Sequence, residues 1–329
     1  MGVPPLPAPT AERFRRDWYA ATGAACADKA LVALSGGPDS SALLLLFAGA
    51  LRGSVNPFAA ATVDHGLRPA SAAEAERAAR LAHRCGVEHR ILSGPLPERV
   101  GRVANLSARA RALRYALLEA HAREIGARWI ITAHHADDQL ETLVMRLNRG
   151  SGVGGLAGIR ITAGRVVRPL LSWRRAELNA IVAAAGVDAV NDPSNHDDRF
   201  DRARLRKALA AADWLDPLKA ARSAAACADA DAALDWMVDA LWAEHVQLGL
   251  DQAILRPALL PAEIIRRLVA RCLRHVDAAA DVGGRPLDRL IAGLRGGEQA
   301  MLGNVLASPV LPGPGAGWLF RRAPPRRSP

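Results

Sequence analysis

Through the first half of the chain, short apolar runs are each followed by a longer stretch whose apolar residues recur at helical spacing. Leu31 to Leu34, Ala59 to Val63, His89 to Leu92 and Trp129 to Thr132 read as strands. Between them lie helix patterns: one opening near Asp39, then Ser71 to Cys85, Asn105 to Ile125 and Ala136 to Leu147. Upstream, Thr10 is placed to cap a helix over Ala11 to Ala21, on which Phe14 and Trp18 share a face at i, i+4. Strands alternating with helices predict an α/β fold with a doubly wound parallel sheet covered on both faces. In that architecture ligands bind beyond the carboxyl ends of strands, where Ser35, Asp64 and His134 all fall.

Beyond Gly150 the pattern changes. Gly150 to Gly155 is a glycine-rich segment that follows a helix, so a dinucleotide fingerprint is excluded and a loop closing over substrate fits better. Val167 to Leu171 reads as a short strand, Trp173 to Ala185 as a helix, Asn191 to Phe200 as a polar loop, and Arg202 to Ala212 as a basic helix. From about Trp214 onward strands are expected to disappear. Pro217 to Val246 and Pro261 to Val276 read as amphipathic helices, and Ala300 to Phe320 carries turn residues spaced for small hairpins. The expected domains are 1–213, carrying the parallel sheet, and 214–329, smaller and mainly helical.

Composition narrows the class. At 329 residues two domains are expected, and 50% hydrophobic content suffices for a core in each. Forty-three basic against 33 acidic residues give a net charge of +10, which points to a polyanionic partner. Cys26, Cys85, Cys227 and Cys272 form no C-x-x-C pair, arguing against zinc and iron–sulfur sites and for a reduced, cytoplasmic setting. Met1 to Thr10 lacks a signal-peptide core, and the run Ala42 to Leu51 is too short to span a bilayer, so no membrane association is expected.

The candidate chemistry sits in a few blocks. Ser35-Gly36-Gly37-Pro38-Asp39-Ser40 joins a strand to a helix start, where backbone N–H groups and the helix dipole favour a phosphate. No lysine follows Gly37, which excludes a Walker A loop. In Thr132 to Thr142, Asp138 and Glu141 are i, i+3 neighbours and Asp137 and Glu141 i, i+4 neighbours, so carboxylates cluster for Mg²⁺ or a substrate ammonium. The competing reading is capping of a helix N-terminus. H-E-x-x-H spacing is absent, which argues against zinc at His134 and His135. Asp64, before His65 and Gly66, either meets a ribose or metal or forms a turn. Arginines recur at Arg109, Arg111 and Arg114, at Arg146 and Arg149, and at Arg202, Arg204 and Arg206 with Lys207. Each group is either a solvated face or a set of phosphate contacts to RNA.

Taken in order, these blocks, with Arg111 to Tyr115, Arg149 to Gly152, Arg168 to Leu171 and Asp192 to Asn195, resemble the tRNA(Ile)-lysidine synthetases, PP-loop ATP pyrophosphatases with a Rossmann-like sheet. The resemblance spans about Leu31 to Arg206. It implies ATP bound along Ser35, Gly36, Gly37, Pro38, Asp39 and Ser40 with Asp64, and Mg²⁺ on Asp39 and Asp138. It further implies adenylation of the wobble cytidine of a CAU-anticodon tRNA(Ile), then attack by free L-lysine. Catalytic roles would fall to Asp39, His134, Asp138, Glu141 and Arg202, with Asp138 and Glu141 binding the lysine ammonium or taking its proton. RNA contacts would come from Arg111, Arg114, Arg149, Arg204 and Arg206. Ala203, Leu205 and Asn191 depart from the family pattern. A homodimer is compatible with the sequence. The competing activities are a PP-loop tRNA thiolase, which generally needs paired cysteines, and a catalytically silent ATP- and RNA-binding protein.

Overall fold

Strand and helix fall where the hydrophobic pattern places them in the first half of the chain. The computed structural model describes residues 4–23, 28–51, 57–64, 66, 71–95, 106–188, 201–257, 259–310 and 317–324, with backbone only at 106–107 and 201–203. It forms two compact units, Met1–Gly150 with Gly155–Ala226, and Ser151–Gly154 with Cys227–Pro329.

The first unit is built on a six-stranded sheet. Its strands are β1 (Ala30–Ala33), β2 (Phe58–Asp64), β3 (His89–Ser93), β4 (Trp129–Ile131), β5 (Thr162–Ala163) and β6 (Val166–Val167), in the order β3-β2-β1-β4-β6-β5. All neighbours are parallel except β5, which pairs antiparallel with β6. Successive side chains along a strand point to opposite faces. Val32 and Ile131 therefore join a core with Phe14, Trp18 and Phe47, whereas Leu31 and Ile130 join one with Leu118 and Ala122. On the first face lie α1 (Ala8–Thr22), α2 (Pro38–Ala50), α3 (Ser71–Arg84) and α7 (Arg175–Ala184); on the second lies α4 (Leu106–Glu124). Between them in the chain come α5 (Ala136–Asn148) and the single turn α6 (Val153–Leu156).

Two boundaries differ from expectation. Helix α1 opens at Ala8 after Pro7, not at a Thr10 cap, because Pro9 is well suited to a first helical turn. The strand expected over Val167 to Leu171 stops at Val167, because Pro169 has no N–H to extend the ladder. Helix α2 is buried continuously from Ser40 to Ala48, as an apolar helix without a polar face must be. Phe47 receives Phe14 and Trp18 edge-on, with centroids 5.1 Å away in each case.

Helix α8 (Asp201–Ala210) follows, and α9 (Pro217–His245) crosses from the first unit into the second. The second unit contains α10 (Ala262–Val276), α11 (Gly284–Arg295) and five strands: β7 (Val246–Leu248), β8 (Gln252–Leu255), β9 (Ala300–Leu302), β10 (Val305–Val310) and β11 (Gly317–Arg322). The hairpins expected near the end are part of one antiparallel sheet, ordered β7-β8-β11-β10-β9. The expected disappearance of strands after Trp214 is thus corrected: β7 and β8 are too short to show a period, and β8 finds its partner β11 more than sixty positions along the chain. Leu255, Leu268, Leu273, Leu287 and Phe320 fill the core. Arg267 on α10 binds Asp231 and Asp235 of α9 and Glu263 one turn back, at 2.5, 2.6 and 2.9 Å. Among the described residues no helix is long and apolar enough to cross a membrane.

Candidate active site at the carboxyl edge of the parallel sheet

The turn after β1 is held shut by its own serines. Gly36 sits at φ +82°, a left-handed conformation that glycine adopts without a Cβ penalty. Gly37 is the N-cap of α2 and Pro38 occupies its first turn. The Ser40 hydroxyl donates to the Gly37 carbonyl at 3.0 Å, so its lone pairs accept from the Ser35 backbone N–H at 3.1 Å and the Ser35 hydroxyl at 3.0 Å. Buried Ser40 thereby fixes the curvature of the loop, while Ser35 is exposed. First-turn N–H groups of a helix have no intrahelical acceptor, so the opening of α2 is a donor site for an anion.

Asp39 points from that turn toward the start of α5. There His135, fully buried, is the N-cap: its Nδ1 accepts from the Asp138 N–H at 3.4 Å, and Asp138 Oδ2 accepts from the His135 N–H at 3.2 Å. An accepting Nδ1 places the ring proton on Nε2, which lies 3.5 Å from both Asp39 Oδ2 and Asp138 Oδ2. Burial opposes charge on the ring, but the Asp39 and Asp138 carboxylates facing Nε2 outweigh it and raise its pKa above 6.5. Burial likewise works against an ionised Asp39, yet His135, Arg175 and Arg206 outweigh it and hold that carboxyl below 3.8.

Glu141, one turn further along α5, is buried and clamped by cations. Arg206 of α8 reaches it with Nε at 2.8 Å and Nη2 at 3.3 Å, and Arg175 of α7 with Nη2 at 3.0 Å. The same guanidiniums stand 3.9 and 4.0 Å from Asp138 Oδ1. Burial would raise the Glu141 pKa; the two arginines reverse that and keep it below 4.5. Asp137 Oδ2, 3.6 Å from His135 Nδ1, accepts the Arg175 backbone N–H at 2.8 Å, tying α5 to the first turn of α7. Beside this network opens a cleft of about 560 Å³, whose lining includes Glu141, Arg175, Arg206, Leu209, Trp214 and Lys219.

Asp39, Asp138, Glu141 and Arg206 are thus brought together. His134 follows β4, its Nδ1 2.9 Å from the Thr132 hydroxyl. Asp64 ends β2 and accepts the Gly66 N–H at 2.9 Å, the turn-forming role that sequence had left open. Arg111 and Arg114 lie exposed on α4, the Arg111 guanidinium 5.0 Å from the Tyr115 ring centroid. Arg149 is exposed at the end of α5 and Arg204 on α8, whereas Arg206 faces inward to Glu141. The side chain of Arg202 lies outside the described residues, as do Cys26, His65, Leu67, Arg68, Asn105, Asn191 and Asp192 to Asn195.

Comparison with known proteins decides the family. The model of a PP-loop domain matches residues 11–212. A tRNA(Ile)-lysidine synthase of Novosphingobium aromaticivorans is 44% identical, covering 97% of this chain and 95% of the relative. The synthase of Zymomonas mobilis is 40% identical over 90% and 89%, and that of Methylobacterium nodulans 43% over 90% and 86%. The chain belongs to the tRNA(Ile)-lysidine synthase family. Among solved structures, the U34-tRNA thiolase NcsA of Methanococcus maripaludis with its [4Fe-4S] cluster aligns with a TM-score of 0.54 at 17% identity, covering 66% of this chain and 77% of the thiolase. That likeness is one of fold alone.

Two members of the network in this lysidine synthase family chain escaped the sequence reading. His135 was within the Thr132 to Thr142 block but had no role of its own. The pattern marks Arg175 only as a residue of the helix over Trp173 to Ala185. A signal for it existed: Arg174 and Arg175 open a helix at the end where the dipole favours acids, an arrangement that asks for an outside partner.

Proposed function

We propose that this chain joins free lysine to C2 of the wobble cytidine of a CAU-anticodon tRNA(Ile), using ATP. The observation that carries the reading is the proximity of the Ser35 to Ser40 turn to the Asp138 and Glu141 network, linked through Asp39 and His135. In the first step the cytosine O2 attacks the α-phosphorus of ATP, breaking the bond to pyrophosphate. In the second, the lysine ε-amine attacks C2, and AMP departs with the former carbonyl oxygen. The ammonium gives one proton to solvent before attack and a second as the new C–N bond forms, and the linking nitrogen keeps the third.

The residues sort by charge. Donors at the opening of α2 suit the phosphates and the departing pyrophosphate. Glu141, kept ionised by Arg206 and Arg175, is a poor proton acceptor at neutral pH. Of the two roles open to it, taking a proton does not fit, and with both oxygens engaged by guanidiniums a lysine ammonium would be held with Asp138 and not by Glu141 alone. Arg206 is needed at Glu141 first, and Arg111, Arg114, Arg149 and Arg204 remain as exposed candidates for RNA phosphates.

Mg²⁺ fits Asp39. Its Oδ1 is buried without a hydrogen-bond partner. Among the described residues no group of three or more His, Cys, Asp or Glu side chains is placed to hold a metal. Mg²⁺ ordinarily takes one or two carboxylates together with substrate phosphates and water, so Asp39, with Asp138 nearby, would supply the protein's share. Bound there, it would neutralise charge on the phosphates.

Mass spectrometry of tRNA(Ile) incubated with the protein, ATP and lysine tests the reading. A lysine-dependent mass gain at the wobble cytidine is expected, and D39A should abolish it. Sulfur incorporation would point to thiolation. No change in tRNA would leave a binding protein and reject the ligase.

A further inference from the structure

His135 is the side chain on which the two halves of the site meet, capping α5 while facing the PP-loop carboxylate. Its ring is completely buried. One nitrogen serves the backbone of α5, and the other stands 3.5 Å from a carboxylate oxygen on α2 and from one on α5. Asp39 is therefore approached on Oδ2 by a histidine of a different element, while its Oδ1 is buried and lacks a partner. His135 Nε2 also lacks a hydrogen-bond partner, so it faces Asp39 Oδ2 as a close polar contact at 3.5 Å; a carboxylate faced by a buried N–H on one oxygen has its other oxygen aimed.

We propose that His135 is a positioning residue for the PP-loop carboxylate: Nδ1 anchors the ring to α5, and Nε2 fixes the rotation of Asp39 so that Oδ1 is presented to a magnesium–nucleotide complex. The inference rests on the ATP and Mg²⁺ reading of the preceding section. The physical rationale is that of partners behind a metal ligand: an aspartate free to rotate loses orientation when the complex forms, whereas one already gripped does not. The same ring sets the spacing between Asp39 and Asp138, because one N–H faces both.

The two nitrogens can be tested separately. In H135N the amide oxygen takes the place of Nδ1 and keeps the cap, but nothing reaches Asp39. In H135Q the amide nitrogen takes the place of Nε2 and keeps the contact, but the cap is lost. Calorimetric titration of ATP with and without MgCl₂, alongside thermal melting, reads both functions. For H135N the melting temperature should stay near wild type, ATP affinity without Mg²⁺ should hold, and the gain conferred by Mg²⁺ should fall by roughly tenfold, the usual scale for losing a partner behind a ligand. For H135Q the melting temperature should drop while the Mg²⁺-dependent gain is retained. Equal melting losses with an unchanged Mg²⁺ gain in both variants would make His135 a cap and nothing more, and overturn the proposal. So would an H135N chain that fails to fold. A wild-type chain that binds no ATP, or binds it without regard to Mg²⁺, would instead overturn the functional reading beneath it.

Discussion

Glu141 shows how a single residue is defined by its neighbours. Alone on a helix it is an acid in an early turn; in the fold it is a buried anion that depends on Arg206 and Arg175. Because its pKa is lowered, its ionised form stabilises the folded state, fully above the ordinary 4.5, and that contribution is lost as pH falls through the depressed value. E141Q should therefore cost roughly 2 kcal/mol near neutrality, the scale of hydrogen bonds to charged groups. The difference in stability from wild type should close in acid, as pH falls through the depressed pKa, as followed by denaturant unfolding at a series of pH values. A gap that persists unchanged in acid would mean that the interaction is not ionic.

At the scale of elements, the turn between β1 and α2 has the tightest demands. Gly36 needs φ +82°, and the Ser35, Gly37 and Ser40 bonds fix the loop around it. An alanine there meets the left-handed penalty, about 1 to 2 kcal/mol. G36A should lower the melting temperature modestly but weaken ATP binding more, since the loop's N–H groups would be re-aimed. Isothermal titration against wild type checks this; unaltered ATP affinity in a destabilised variant would mean that the turn serves only the chain reversal. Helix α7 is set by contacts of a different kind. Asp137 holds its first turn, and Glu177 closes it by accepting the Arg174 N–H at 2.7 Å. Acids at the start of α5 thus divide their labour: Asp138 completes the cap of its own helix, Asp137 serves the next one, and Glu141 faces the arginines. The capping and the functional readings of that block are both realised, by different carboxylates.

For the molecule as a whole, the +10 charge predicts that affinity for tRNA is governed by counterion release. Binding measured across a salt series should fall steeply. Replacing exposed Arg111 or Arg114 should shift all affinities alike and reduce the salt slope by about 1 per arginine that meets a phosphate. An unchanged slope would remove that residue from the interface. Charge balance also explains why the arginine count alone was a poor guide. Arg206 is spent on Glu141, and Arg267 on three acids of its own unit, so neither is a free surface cation.

By itself the sequence determined the parallel sheet, the phosphate-type turn and the place of the acids, because period, glycine spacing and helix starts are local properties that a short window carries. Phe14 and Trp18, expected on one face, are buried together against Phe47. The five-stranded sheet of the second unit was hidden, because β8 pairs with a strand far along the chain and each strand is too short to show a period. Tertiary structure alone decided which cation meets which acid. Arg175 and Arg206 come from segments apart from α5, and their partnership with Asp138 and Glu141, like that of His135 with Asp39, arises from where α2, α5, α7 and α8 are packed. Burial works against ionised Asp39 and Glu141, and these counter-charges keep them anionic, since in a low-dielectric site each charge needs a counter-charge within a few ångströms.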